Sequence, residues 1–183
     1  SKIVADLLNF SHSSESNIIV FNINDAIEEV LGVAEHTFSL NHVMVKHEYH
    51  KDPLLMKGDK GKIKQVLINL LNNAFAAIGK NGSIFVTTGI GKTQNEIKVS
   101  VSDTGIGIAK ENISKIFEPF YTTKSPDQGT GLGLSVTFGI IKEHNGTIEV
   151  YSPPLSGNKK DEGTQFIVTL PSGLNMKKGE LNG

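Results

Sequence analysis

Apolar residues recur along the chain with two different periods, and the switches between them mark the elements. Ile3, Val4, Leu7, Leu8 and Phe10 fall at helical spacing and read as the last turns of an amphipathic helix, followed by a Ser/Asn-rich turn over 11–17. Asn24 is expected to cap a helix carrying Ile27, Val30, Leu31, Ala34 and Phe38 on one face. "HVMVKHEY" alternates as a strand, and "PLLM" reads as a second short one. Asp59 is the predicted cap of a long helix, "KGKIKQVLINLLNNAFAAI", with Leu67, Leu70, Leu71, Ala74 and Ile78 buried and a stop at Gly79 and Asn81-Gly82. The strands "SIFVTTGI" and "EIKVSVS" are joined by the turn "GKTQN". Glycines at 105 and 107 break the chain before a short helix near 110–116 and a loop with Pro119 and Pro126. A helix over about 132–144 closes on Asn145-Gly146, and "TIEVYS" and "TQFIVTL" are the last strands. Helices and strands mix without strict alternation, which predicts an α+β layer with a mostly antiparallel sheet.

Composition narrows the chemistry. The chain has 183 residues, 38% of them apolar, enough for one domain with a core or one domain plus a fragment. A net charge of −1 supplies no bulk attraction to nucleic acid or an anionic membrane. There is no cysteine, which excludes disulfides, thiolate metal sites and a cysteine nucleophile and suits a cytosolic location. No apolar run approaches the ~20 residues of a membrane span, and no signal peptide is read at the start. Arginine is absent, so a phosphate site must use lysine, amide side chains, backbone N–H groups or a metal.

Some motifs fail on inspection. "GIGKT" at 89–93 ends like a P-loop, but Val86 stands where that loop needs glycine, and the setting between two strands suits a hairpin turn. "GTGLGL" at 129–134 has the wrong glycine spacing for a dinucleotide fold. His47 and His50 are as well explained by an exposed edge strand as by a metal, and no histidine metal site is assigned.

Three other stretches carry chemistry. Asn69 and Asn73 lie four apart, on one face of the long helix, where asparagine is unfavourable within an otherwise apolar run. Their amide oxygens suit a Mg²⁺ already balanced by phosphates; the plain alternative is a pair of solvated helix polars. In "SDTGIGI", 102–108, Asp103 is a fixed acceptor suited to an adenine amine, and the glycines allow close backbone approach; the alternative is a tight turn. In "IFEPFYTTKSPDQGTGLGL", 116–134, Phe117, Phe120 and Tyr121 can anchor a loop from which Lys124 projects toward a terminal phosphate. Gly129, Gly131 and Gly133 then open a helix whose N-terminal N–H groups favour anions. The alternative is a surface loop, although loops this long are more often functional lids.

In this order the three stretches resemble the ATP-binding catalytic domain of sensor histidine kinases of two-component systems. These belong to the ATPase superfamily shared with gyrase, MutL and the large heat-shock chaperone. "QVLINLLNNA" resembles the asparagine box, "DTGIGI" the first glycine box, "IFEPFYTTK" the phenylalanine box and "GTGLGL" the second glycine box; "HNGTIEVYS" and "EGTQFIVTLP" resemble the closing strands. The likeness runs from about Leu7 to Pro171. It implies a two-layer α/β sandwich, a mixed, mostly antiparallel sheet packed on helices, with ATP and Mg²⁺ under a mobile lid. It implies that Asn69 and Asn73 lie near the metal and phosphates and act in catalysis with Lys124, which reaches the γ-phosphate. Asp103 is implied to bind the adenine amine with Thr164 in support, Gly105, Gly107 and Ile108 to shape the adenine pocket, and Thr130, Gly131, Leu132, Gly133 and Leu134 to line the phosphates. The family's lysine and stacking tyrosine after the second asparagine are replaced here by Ala76 and by Ala77-Ile78, leaving Ile106, Ile108 or a lid aromatic to cover the adenine.

Hydrolytic members of the superfamily carry a glutamate base where this chain has Asn69, and an amide cannot accept that proton. The resemblance therefore implies γ-phosphoryl donation to a histidine on an upstream dimerisation domain. The alternatives are a hydrolysing clamp of the gyrase or chaperone type and a nucleotide-binding module without chemistry. His12 sits in "NFSHSSESN", which lacks the continuation and the helical context of an acceptor box and reads as linker. Expected boundaries are 1–17 for the end of the second dimerisation helix and linker, 18–171 for the catalytic domain and 172–183 for a flexible tail. Expected partners are the dimerisation domain of the same protein and, indirectly, a response regulator. No nucleic acid or membrane contact is expected of this fragment, which should be cytoplasmic and a monomer when isolated.

Overall fold

A computed structural model describes residues 16–123, 129–155 and 162–174. The elements run β1 (Ile18–Asn22), α1 (Ile23–Leu40), β2 (Val43–Glu48), β3 (Leu55–Asp59), α2 (Lys60–Ile78), β4 (Gly82–Ile90), β5 (Glu96–Asp103), α3 (Lys110–Ile113), α4 (Gly133–Glu143), β6 (Thr147–Tyr151) and β7 (Gln165–Pro171). Five strands form an open sheet in the order β2-β4-β5-β7-β6. Only the β2–β4 pair is parallel among them. β1 and β3 form a separate antiparallel pair.

Helices lie against one face of the sheet, and the core fills the space between the layers. The stripe read on α1, Ile27, Val30, Leu31, Ala34 and Phe38, is buried there. So are Leu67, Leu70, Leu71 and Ala74 of α2, while Ile78 is partly buried against them. They meet Ile84, Val86, Val99, Val101, Val168 and Leu170 from the sheet. The fold is the expected α+β sandwich with a mostly antiparallel sheet.

Two local readings are corrected. The cap of α1 is Asn22, not Asn24: Asn22 Oδ1 accepts from Asn24 N at 3.2 Å and from Leu54 N at 3.1 Å. Ile23 N also donates to Leu54 O at 2.9 Å, so a contact distant in sequence starts the helix early. The second short strand is Leu55–Asp59, beginning later than "PLLM" and running directly into α2. Asp59 thereby ends β3 and caps α2, its Oδ1 accepting from Lys62 N at 3.0 Å.

Candidate functional site

Helix α2 acts as the ruler of the site. Asn69, Asn73 and Ala77 succeed one another at intervals of four residues, so they share a face over about 12 Å of helix. At one end Asn69 is buried, and its Nδ2 donates to Gly133 O at 3.0 Å and to Thr137 Oγ1 at 3.2 Å. This ties α2 to the first turn of α4. At the other end Ala77 O accepts from Ile106 N at 3.1 Å, which lays the glycine loop on the helix. A Cβ on Gly105 would stand 2.6 Å from the Ala77 carbonyl carbon, so only glycine fits this approach. Asn73 lies between the two ends. Its Nδ2 is buried and has no hydrogen-bond partner.

Asp103 ends β5 in the middle of the sheet and is 5% exposed. Burial raises its pKa to about 6, against the lowering effect of the Gly105 and Thr164 backbone amides. Gly105 N donates to Asp103 Oδ1 at 2.8 Å, and Asp103 N donates to Thr164 O at 2.8 Å. Thr164 is buried beside it. Gly163 has φ +135°, and a side chain there would collide with the Asp103 carbonyl. Gly107 packs against Ser152, whose Oγ would be 3.0 Å from a Cβ at that position. Ile108 is partly buried against the core, whereas Ile106 is 82% exposed.

The third stretch closes on the other end of the ruler. Phe117 and Tyr121 pack against the core, as expected of anchors. Phe120 does not: its side chain is 74% exposed and its φ is +66°. Its backbone makes the tie instead, Phe120 N donating to Gly131 O at 2.9 Å. Gly131 has φ +68°, and a Cβ there would run into the Phe120 backbone. Leu132 N reaches Thr130 Oγ1 at 3.4 Å. Leu132 precedes α4 without a side-chain cap, so it satisfies none of the first N–H groups of the helix. Lys124 and His12 lie outside the described residues.

Two residues escaped the sequence reading. Ser152 Oγ accepts from Ile108 N at 2.8 Å and donates to Gly163 O at 2.7 Å, stitching the glycine loop to the segment beside Asp103. Thr137, fully buried on α4, receives Asn69. Neither has a motif around it; only the fold brings them to the site. His47 and His50 form no metal cluster, and no group of three candidate ligands occurs among the described residues.

A fold with a buried carboxylate at the end of a central strand, a glycine loop laid on an asparagine-bearing helix and an uncapped helix start opposite defines a nucleotide-binding class. The model of the histidine kinase-, DNA gyrase B- and HSP90-like ATPase family matches residues 58–174. The chain belongs to that family, as the ATP-binding catalytic domain of a sensor histidine kinase. Sporulation kinase A of Bacillus subtilis (strain 168) is 35% identical over 170 residues, 92% of this chain and 26% of its own length. The chain therefore spans about a quarter of that relative. The nucleotide-free catalytic domain of histidine kinase ThkA has a TM-score of 0.74 and 37% identity, over 85% of this chain and 96% of that one. ThkA solved in complex with the response regulator protein TrrA matches with a TM-score of 0.71 and 33% identity, over 93% of this chain and 46% of that one.

Proposed function

We propose that this chain binds Mg-ATP and donates the γ-phosphoryl group to a histidine on a dimerisation domain of its parent protein, N-terminal to the residues described. The observation that carries the reading is Asn73 Nδ2, a buried donor without a partner, lying between the glycine loop and the uncapped start of α4. A buried donor left unpaired is costly, and a phosphate oxygen would satisfy it. Asn69 Oδ1 has no hydrogen bond among the described residues, its amide nitrogen being committed to α4. The donor set therefore fits the group: two neutral amide oxygens for Mg²⁺, and N–H groups for phosphate.

Each residue has a role in this reading. Asp103 accepts the adenine amine, with Thr164 behind it. Gly105, Gly107 and Ile108 shape the adenine pocket. Thr130, Gly131, Leu132, Gly133 and Leu134 surround the phosphates, and Lys124 is assigned to the γ-phosphate. When bound, Mg²⁺ neutralises phosphate charge and orients the group for in-line transfer. Asn69 offers no base to activate water, because an amide does not take up a proton near neutral pH. This favours transfer to an external acceptor over hydrolysis.

The domain is assigned to residues 18–171, with His12 in a linker and 172–183 as a tail. Its partners are the dimerisation domain and, through it, a response regulator. We place it in the cytoplasm; no helix among the described residues is long and apolar enough to cross a membrane.

The test is intact mass after incubation with Mg-ATP, with and without mild acid, alone and with the dimerisation domain added. The chain alone should bind ATP and gain no phosphoryl group, and the added domain should gain one that acid removes. Absence of ATP binding, or an acid-labile group on His12, would overturn the reading.

A further inference from the structure

Helices α2 and α4 carry the two halves of the phosphate end, and a histidine far from that end holds them together. His144 follows the last residue of α4. Its Nε2 accepts from Asp59 N at 3.0 Å, and its Nδ1 lies 2.8 Å from Ile140 O. A backbone N–H can only donate, so Nε2 is the acceptor and the ring proton sits on Nδ1, pointing at the Ile140 carbonyl. One imidazole thus closes the last turn of α4 and grips the cap residue of α2 at the same time. The fit is tight: a Cβ on Gly58 would stand 2.9 Å from the ring's Cδ2.

We infer that His144 is a positioning residue for the phosphate end of the site, acting through the angle between α2 and α4. The inference rests on the function proposed above. Beside the apolar packing between the two helices, two buried or part-buried sets of hydrogen bonds tie them among the described residues. One is Asn69 on Gly133 and Thr137, next to the phosphates; the other is His144 on Asp59, at the far ends of both helices. The 2.6 Å Lys62–Glu143 ion pair alongside is exposed and adds little. Release of the far tie lets α4 pivot about Asn69, which displaces the N–H groups of its first turn from where phosphate must meet them. The adenine loop hangs from Ala77 and Ser152 instead and does not feel this pivot.

The experiment compares the unaltered chain with His144→Leu, His144→Gln and Gly58→Ala. Leucine removes both hydrogen bonds, glutamine can return an acceptor to Asp59 N–H, and alanine at 58 presses on the ring without deleting it. His144→Leu should weaken Mg-ATP binding about tenfold, and His144→Gln should recover most of that loss. Amide exchange should accelerate at Val136, in the first turn of α4, and stay unchanged at Gly105, Ile106 and Ile108. If His144→Leu does not fold, Gly58→Ala should give the same exchange pattern with a smaller loss of affinity. The inference is overturned by Mg-ATP affinity within twofold of the unaltered chain, by exchange rising equally at both ends, or by glutamine behaving like leucine. Failure of the unaltered chain to bind Mg-ATP would instead sink the proposed function.

Discussion

Around Asp103 the polar groups are paired, whereas around Asn73 and the start of α4 donors are left over. The carboxylate holds Gly105 N, its own amide reaches Thr164 O, and Ser152 links Ile108 to Gly163. Asp103 anchors this end on the central strand β5, and Ser152 and Gly163 join it from the segments around β6 and β7. The helix end has Asn73 Nδ2 without a partner and a helix start without a side-chain cap. One end is finished within the chain itself, and the other keeps a buried donor to spare. On the proposed function, the finished end would select the adenine, and the unsatisfied end would make affinity depend on the phosphates and their metal.

The sharpest way to break this contrast is Asp103→Asn. A carboxylate offers acceptors on both oxygens, so it can serve the Gly105 and Thr164 amides and still receive an adenine amine. An amide has one oxygen and must turn its nitrogen toward a donor on one side. Loss of a hydrogen bond to a charged group predicts about fiftyfold weaker ATP binding, measurable by titration of the folded variant. Parent-like affinity would mean that Asp103 does not read the base.

A pH series sharpens the same point with a smaller effect. Asp103 titrates near 6, above its ordinary 3.8, because burial penalises its charge. The folded chain therefore holds this proton more tightly than the unfolded chain does. Its contribution favours the free fold at low pH and is lost as pH rises through about 6. An adenine amine favours the ionised form, so binding below that pH must expel the proton. ATP affinity should fall about tenfold between pH 7 and pH 5. Asp103→Asn should flatten that profile.

What was legible in the sequence was local. Asp59, the apolar spacing after it and Gly79 mark α2 because cap, face and stop are all read within one segment. The hairpin of β4 and β5 is legible for the same reason. The parallel pairing of β2 with β4 is not, since nothing within either strand encodes its neighbour. The cap of α1 was misplaced by two residues because Leu54, 32 positions beyond Asn22, helps to set it. At the site, the motifs locate Asp103, the asparagines and the glycines. They do not say which way Asn69 turns its amide, nor that Phe120 ties the loop by its backbone rather than its ring. Ser152 and His144 were invisible, since their partners lie 44 and 85 positions away.

The two asparagines test the helix end itself. Asn69→Ala deletes two hydrogen bonds to α4, so it should lower stability by about 1–2 kcal/mol as well as weaken Mg-ATP. Asn73→Ala deletes an amide whose nitrogen is unpaired in the free protein, so stability should hold or rise slightly while Mg-ATP binding weakens about fivefold. Thermal unfolding of the free proteins separates the two. Equal destabilisation by both would show that Asn73 is already satisfied without ligand, and the contrast between the ends would fail.

The smallest effect belongs to the stitch at the finished end. Ser152→Ala removes the hydroxyl that accepts from Ile108 N and donates to Gly163 O, leaving one donor and one acceptor unpaired. Ile108 is only partly buried, so water can replace part of what is lost there, whereas Gly163 is buried. ATP affinity should drop about threefold, with faster amide exchange at Ile108. Because the loop remains held by Ile106 N on Ala77 O, the loss should be similar for ATP and ADP, which share the adenine. A loss confined to ATP would mean that Ser152 acts on the phosphates, and that the two ends of the site are less separate than their hydrogen bonding indicates.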